Sequence, residues 1–402
     1  MGPDQHPQLD SFGLVLPFPL RLAIILVAGF WGWAINLHYL AAANIDVPSL
    51  IRYPARSSSS QPPHHTSAYR LATALSIPVG IWIVVFWFAT RRSVELVERL
   101  DFIPQSCYIV LLLILIWPFN RLARSGRIHF LRTLKRVSIG GLAESKDGKF
   151  GDILLADALT SYARVLGDLY ASFCMFFMPD ISSTEKPVRS CGRSFIVPLI
   201  VAIPSLIRLR QCLIEYVRAR RTNLRRDENR ANGHLLNALK YSTAFPVIWL
   251  STKVRNYSPL DFFGFSEMSL MRFLFIFCFI NSAYSFYWDV VRDWDLTLLT
   301  PHRHNKEHPY GLRRHRYFSD RLYHYVIFAD LALRFSWLWR ALPGLAWLSE
   351  TESGYFTLMF LEVARRWMWV FFRTEAEWIR NSHGPGPDDV LLGEYNYKFD
   401  AD

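Results

Sequence analysis

Lysine and arginine are absent from the start of this 402-residue chain; the first is Arg21. Without a positive n-region or a small-residue cleavage site, a secretory signal is not expected, and the first apolar segment reads as an uncleaved anchor. Cysteine is scarce and scattered. Cys107, Cys174, Cys191, Cys212 and Cys278 form no CxxC pair or ligand-spaced group, so neither a disulfide framework nor a zinc site is expected. No GxxxxGKS/T, no strand-borne GxGxxG and no GxSxG occurs, so the sequence offers no signature of a nucleotide-binding fold or a serine hydrolase, and an enzyme is not expected. No internal repeat of the kind many transporters carry is visible. The net charge of +11 comes with no nucleic-acid reader motif, so nucleic acid is not an expected partner. His302, His304 and His308 lie in a basic loop with Arg303, Lys306 and Arg313 and read as solvated rather than metal-bound. No metal or cofactor is expected.

Apolar residues are abundant. The chain is 51% hydrophobic and 15% aromatic, with a mean hydropathy of +0.12. They fall in blocks of roughly 20, the length that crosses ~30 Å of hydrocarbon, so the lipid bilayer is the expected surroundings. The expected fold is all-α: a polytopic transmembrane helical bundle of about nine spans, at 20–40, 71–90, 106–120, 151–178, 195–212, 236–252, 270–292, 322–342 and 355–373. The fourth is long enough to bend near Gly167. Loops at 41–70, 121–149, 208–234 and 293–321 hold most of the loop Lys and Arg, which predicts a luminal or exterior N-terminus and a cytosolic C-terminus. An Asn-Tyr-Ser sequon at Asn256 then falls on the luminal side. The Ser57–His65 stretch and the tail after His383 read as irregular.

Charges recur inside these spans, where lipid penalises them by ~3 kcal/mol or more each. Asp157, Ser161, Arg164 and Asp168 are spaced to share one helical face, as are Asn281, Ser285, Asp289 and Asp293. Asp330 precedes Arg334 by four, Trp337 follows one turn later, and Glu362 precedes Arg365 and Arg366. Asn237, Lys240 and Tyr241 open the sixth span. Any single pair reads equally well as a structural salt bridge. Buried ion pairs are poor stabilisers, however, so polar stripes on four spans favour a hydrated cavity. Arginine's planar fork suits phosphate or carboxylate oxygens, so an anion is the expected cargo.

Five stretches then resemble the EXS family in that family's order. They are Phe150-Gly-Asp-Ile-Leu-Leu-Ala-Asp-Ala-Leu-Thr-Ser, Leu236-Asn-Ala-Leu-Lys-Tyr-Ser-Thr, Tyr287-Trp-Asp-Val-Val-Arg-Asp-Trp294, Leu333-Arg-Phe-Ser-Trp337 and Glu362-Val-Ala-Arg-Arg-Trp367. The resemblance covers about 150–380 and implies three parts: N-terminal spans over 1–149, an EXS transmembrane domain over 150–380 and a cytosolic tail over 381–402. The family includes phosphate exporters that carry an N-terminal SPX sensor domain. This chain begins almost directly with a span, so it looks most like the SPX-less fungal ER-retention-defective proteins of the Golgi membrane. That implies return of inorganic phosphate from the Golgi lumen to the cytosol, with roles in glycosyltransferase recycling and ER protein retention. A homodimer is expected by family analogy. Carried over by motif, the family's phosphate-coordinating and gating positions fall on Asp157, Lys240, Tyr241, Asp289, Asp293, Arg334, Trp337, Glu362, Arg365 and Arg366. Arg164 joins them from its helical face, and Thr160 stands where exporters commonly have asparagine. The alternative is a Golgi trafficking adaptor that binds glycosyltransferase tails or coat components through cytosolic segments.

Overall fold

The structure, a computed structural model, describes residues 11–54, 63–118, 122–179, 181–191, 194–221, 225–257, 266–300, 309–342 and 344–383. Among the described residues there are twelve helices of twelve residues or more and no strand. They are α1 (Phe18–Ala42), α2 (His64–Thr90), α3 (Phe102–Ile116), α4 (Arg124–Lys135), α5 (Lys149–Ser161), α6 (Ala163–Phe176), α7 (Ile196–Arg221), α8 (Arg225–Ser242), α9 (Ala244–Arg255), α10 (Glu267–Trp288), α11 (Asp320–Arg334) and α12 (Glu352–His383). His302, His304, His308, residues 57–62 and the tail after His383 lie outside the described residues, as does Ser258 of the sequon, while His64 and His65, expected in an irregular stretch, begin α2.

The elements follow from local chemistry. Pro17 and Pro19 open α1, where a helix has no use for a backbone N–H. Burial of Leu20, Leu22, Ile25, Leu75, Phe86 and Tyr108 joins α1, α2 and α3 in one apolar core, which Tyr162, Val165, Met359 and Val363 complete from α5–α6 and α12. The last carbonyls of α3 would be orphaned in lipid. Arg127 of α4 reaches back to them, donating to Ile114, Leu115 and Trp117 at 2.9, 3.1 and 2.7 Å. Gly29 and Gly32 let other segments lie against α1: a Cβ on them would fall 2.2 Å from the Tyr162 hydroxyl and 2.4 Å from the Trp367 ring. A second core of Val290, Trp294, Tyr323, Trp369, Val370 and Phe372 joins the end of α10 to α11 and α12. Outside, Ile81, Phe88, Ile109, Leu112, Leu199, Phe275 and Phe328 are exposed, an apolar surface suited to lipid tails.

Among the described residues, five helical segments are long and apolar enough to cross a membrane: Phe18–Ala42, His64–Thr90, Val94–Ile116, Ile196–Arg221 and Glu267–Asp293. They cover the first, second, third, fifth and seventh predicted spans. The other four predicted spans are interrupted or charged, so length and hydropathy alone do not establish nine crossings.

Three expectations are corrected. The fourth span breaks at Tyr162 rather than near Gly167. Gly167 stays helical, and its missing Cβ instead admits Val201 of α7, which a methyl would meet at 2.8 Å. The predicted basic loop 208–234 is helical over 208–221 and 225–234. Arginine is a good helix former, and a helix does not stop where it leaves lipid. Finally, Cys174 and Cys191 are disulfide-bonded. The segment after α6 doubles back, and its residues bond to the α2–α3 connection: Ser183 N–H donates to Asp101 at 3.1 Å and the Thr184 hydroxyl to the Val97 carbonyl at 3.0 Å. This reversal brings together two cysteines 17 residues apart.

Candidate anion site at the interrupted helices

The helices that carry the predicted charges are interrupted beside them. The α5–α6 chain breaks at Tyr162, next to Ser161, and α8–α9 breaks at Thr243, two residues after Tyr241. The end of α10 widens into a π-turn over Asp289–Asp293, and α11 ends at Arg334 before a 3-10 turn. Irregular backbone at membrane depth persists where protein or a cavity, rather than lipid, surrounds it. α12 runs through without a break.

Along α12 the cluster is built in levels. Arg365 is fully engaged: its Nε and one terminal nitrogen donate to Glu362 at 2.9 and 2.7 Å, and its other terminal nitrogen donates to Asp330 at 2.9 Å. Arg334 donates to Asp289, and to Asp330 at 3.3 Å. Asp157 accepts from Arg208 at 2.8 Å and from the Tyr241 hydroxyl. Lys240 lies 3.8 Å from Asp293 and 4.6 Å from the Tyr241 ring centre. Arg373 reaches the other Asp293 oxygen at 3.7 Å. Trp337 donates to Ser282 at 3.0 Å, and Ser282 donates to the Arg334 carbonyl at 3.1 Å, which ties the tryptophan beside that arginine.

Arg366 differs from its neighbours. Its Nε donates to the Ser161 hydroxyl at 2.9 Å, one terminal nitrogen donates to Thr160 at 3.1 Å, and its guanidinium lies 4.7 Å from the Trp369 ring centre. It is 7% exposed, and no carboxylate among the described residues lies within 4.0 Å of it. Both hydroxyls are already spent as donors. Ser161 donates to Glu362 at 2.6 Å and Thr160 donates to the Asp157 carbonyl at 2.7 Å, so each offers Arg366 a lone pair. Arg366 and Lys240 both act electrostatically on Asp157 and on Asp289. A buried guanidinium held by neutral partners retains most of its field for an incoming anion.

Of the predicted residues, Asp157, Thr160, Lys240, Tyr241, Asp289, Asp293, Arg334, Glu362, Arg365 and Arg366 therefore converge, with Trp337 at their edge. Arg164 does not. It is exposed on α6 beyond the break, and Asp168, expected on its face, pairs with Arg189 at 2.7 and 3.0 Å. Arg208, where the expected fifth span and the basic loop overlap, joins the cluster through Asp157 although it is not among the expected site residues. Its signal was Arg208 and Gln211, polar residues three apart within an apolar helix, and both are buried.

Interrupted helices around a basic polar core, inside an apolar outer surface, define a class: a multi-pass helical membrane protein with a buried ionic cluster. The chain belongs to the EXS family, whose pattern matches residues 16–379. It is 32% identical over 372 residues to Protein ERD1 homolog 1 of Schizosaccharomyces pombe, covering 92% of each chain. Protein ERD1 of Saccharomyces cerevisiae is 28% identical over 378 residues, 91% of this chain and 94% of that one. The Xenopus laevis homolog of xenotropic and polytropic retrovirus receptor 1 is 32% identical over 300 residues, which are 69% of this chain but 39% of that protein.

Proposed function

We propose that this protein is a transporter, not an enzyme, and that it carries inorganic phosphate from the Golgi lumen to the cytosol through the ionic cluster. The observation that carries the reading is Arg366, a buried guanidinium bonded to hydroxyls alone. Phosphate would engage Arg366 and Lys240, whose partners are neutral or loose. Arg365 and Arg334, saturated by carboxylates, would hold the site's shape. The surrounding acids keep the anion from binding too tightly to leave, as conduction requires. Golgi residence follows the likeness to the fungal ERD1 proteins, and defects in protein retention and glycosylation would follow from phosphate build-up.

A luminal N-terminus is supported by the disulfide. Cys174–Cys191 lies at the bundle end that the loop charges assign to the lumen, and disulfides persist in oxidising compartments. The adaptor reading draws on the exposed Arg218, Arg220 and Arg221 at the opposite end. Phosphate efflux from proteoliposomes separates the two. A transporter gives wild-type flux that Arg366→Ala removes; an adaptor gives no flux above empty liposomes.

A further inference from the structure

We propose that the basic end of α7 is a docking site for a phosphoinositide, a membrane lipid whose headgroup carries a second phosphate beyond the phosphodiester. Its binding chemistry is independent of the transport reading.

The site is built where a turn of chain folds over α7. A π-turn, Arg136–Gly140, follows α4 and leads into Gly141, Leu142 and Ala143. Arg136 binds both oxygens of the fully buried Asp152 of α5, which also accepts the Ala143 N–H at 2.8 Å, so the turn is held at both ends. Toward α7 the turn presents carbonyls. Arg210 donates to Ile139 at 3.2 Å, and Arg218 donates to Leu142 at 3.0 Å and to Ala143 at 3.2 Å. Gly141, at a φ of +105°, lets the turn lie this close, since a Cβ there would stand 3.3 Å from Ile214 of α7. A groove of about 430 Å³ runs along the helix here, lined by Leu206, Leu213 and Val217 together with Arg210, Arg218 and Arg221.

Arg127 also caps carbonyls, at the end of α3, but it is 2% exposed and capping exhausts its role. Arg210 and Arg218 are exposed. Of the five N–H donors on a guanidinium, Arg210 gives one to a carbonyl and Arg218 two, so both are aimed by neutral partners and keep donors for an anion. Leu206, Leu213 and Val217 are exposed as well, at helical steps of four, three and seven from Arg210, and Ile139 is exposed across the groove. One stripe of α7 therefore offers a wall for acyl chains with a guanidinium set into it, and a charge at that depth is best met by a lipid phosphate. Arg218 stands eight residues on, about 12 Å further along the axis, with Arg221 one turn beyond. A lone phosphodiester occupies one depth. An inositol ring phosphorylated on its far side carries a second phosphate outward, toward Arg218 and Arg221. The loop charges assign this end to the cytosol, and anionic lipids concentrate in the cytoplasmic leaflet. On the inner face of α7, Arg208 holds Asp157 at 2.8 Å, so a seated lipid braces the helix that supports the ionic cluster.

The test is photolabelling of the wild-type protein in phosphatidylcholine vesicles that hold a trace of phosphatidylinositol 4-phosphate with a diazirine on one acyl chain. Labelled peptides are mapped by mass spectrometry. Labelling of the α7 stripe and Ile139 should exceed that of the equally exposed Ile109 and Leu112 on α3 by about three-fold or more. Excess unlabelled phosphatidylinositol 4-phosphate should remove it, and the same excess of inorganic phosphate should not. Even labelling of all lipid-facing helices, or displacement by inorganic phosphate, overturns the site. The variant Arg210→Gln/Arg218→Gln should lose the α7 labelling, whereas Arg132→Gln/Lys135→Gln, which removes two exposed charges from α4, should keep it. Equal loss in both means general attraction to a basic surface and also overturns the site. Wild-type protein in detergent should melt about 3 °C higher with phosphatidylinositol 4-phosphate at ten times its dissociation constant than with phosphatidylcholine, and no rise overturns the bracing role. Phosphate flux enters none of these readings, so the site and the transport reading fail separately.

Discussion

Replacing Arg366 with alanine should weaken transport while leaving the fold intact, whereas replacing its neighbour Arg365 should destabilise the fold itself. Arg365 holds two carboxylates, Glu362 and the fully buried Asp330, at 2.7–2.9 Å. Deleting one partner of a buried ion pair leaves the other charge uncompensated, at a cost of about 3–5 kcal/mol. Arg366 leaves behind only the hydroxyls of Ser161 and Thr160. Each keeps its own donated bond, and removing a desolvated cation offsets part of the loss, so the net cost should be about 1 kcal/mol or less. At ~2 °C per kcal/mol, Arg365→Ala should lower the melting temperature by ~6–10 °C and Arg366→Ala by ~2 °C or less. Each charge-assisted bond to phosphate contributes about 1.5–3 kcal/mol, so Arg366→Ala should weaken phosphate flux roughly ten- to a hundred-fold. Melting in detergent and efflux from proteoliposomes, at matched reconstitution, read the two quantities separately. If Arg366→Ala melts as low as Arg365→Ala, the argument that its partners are neutral fails. If it melts normally and still conducts, Arg366 is not on the path.

Other changes probe the surroundings. Thr160→Asn supplies the amide common among exporters, and its longer reach toward Arg366 and the anion should lower the phosphate concentration that half-saturates flux; an unchanged value would show that this position does not contact phosphate. Trp337→Ala removes the ring tied to Ser282, and flux should rise if that ring gates the path, whereas unchanged flux would remove the gate. Away from the site, Arg313→Ala strands the fully buried Glu375, which also accepts the Tyr323 hydroxyl and, at 3.1 Å, the Tyr317 N–H. It should destabilise the protein by about 3–5 kcal/mol without altering phosphate affinity, a pattern that melting and binding together would show.

Hydropathy located the five apolar spans and helical spacing found the Glu362–Arg365 and Asp330–Arg334 pairs, because block length and a 3.6-residue period are local properties. The motifs of the EXS family added the cluster's membership over 150–380. Spacing tells which residues share a face, though not what that face meets. Only the tertiary structure gave Asp157 to Arg208, and Asp168 to Arg189 instead of Arg164, since those partners arrive from other parts of the chain. The break at Tyr162 carries no proline or glycine to announce it; the packing of Gly29 against the Tyr162 ring accompanies it. Cys174 and Cys191 were two isolated cysteines until the chain reversed between them. The difference between Arg365 and Arg366 was likewise invisible in two identical adjacent residues. A rotation of about 100° turns one toward carboxylates and the other toward hydroxyls, so neighbours in sequence meet opposite partners.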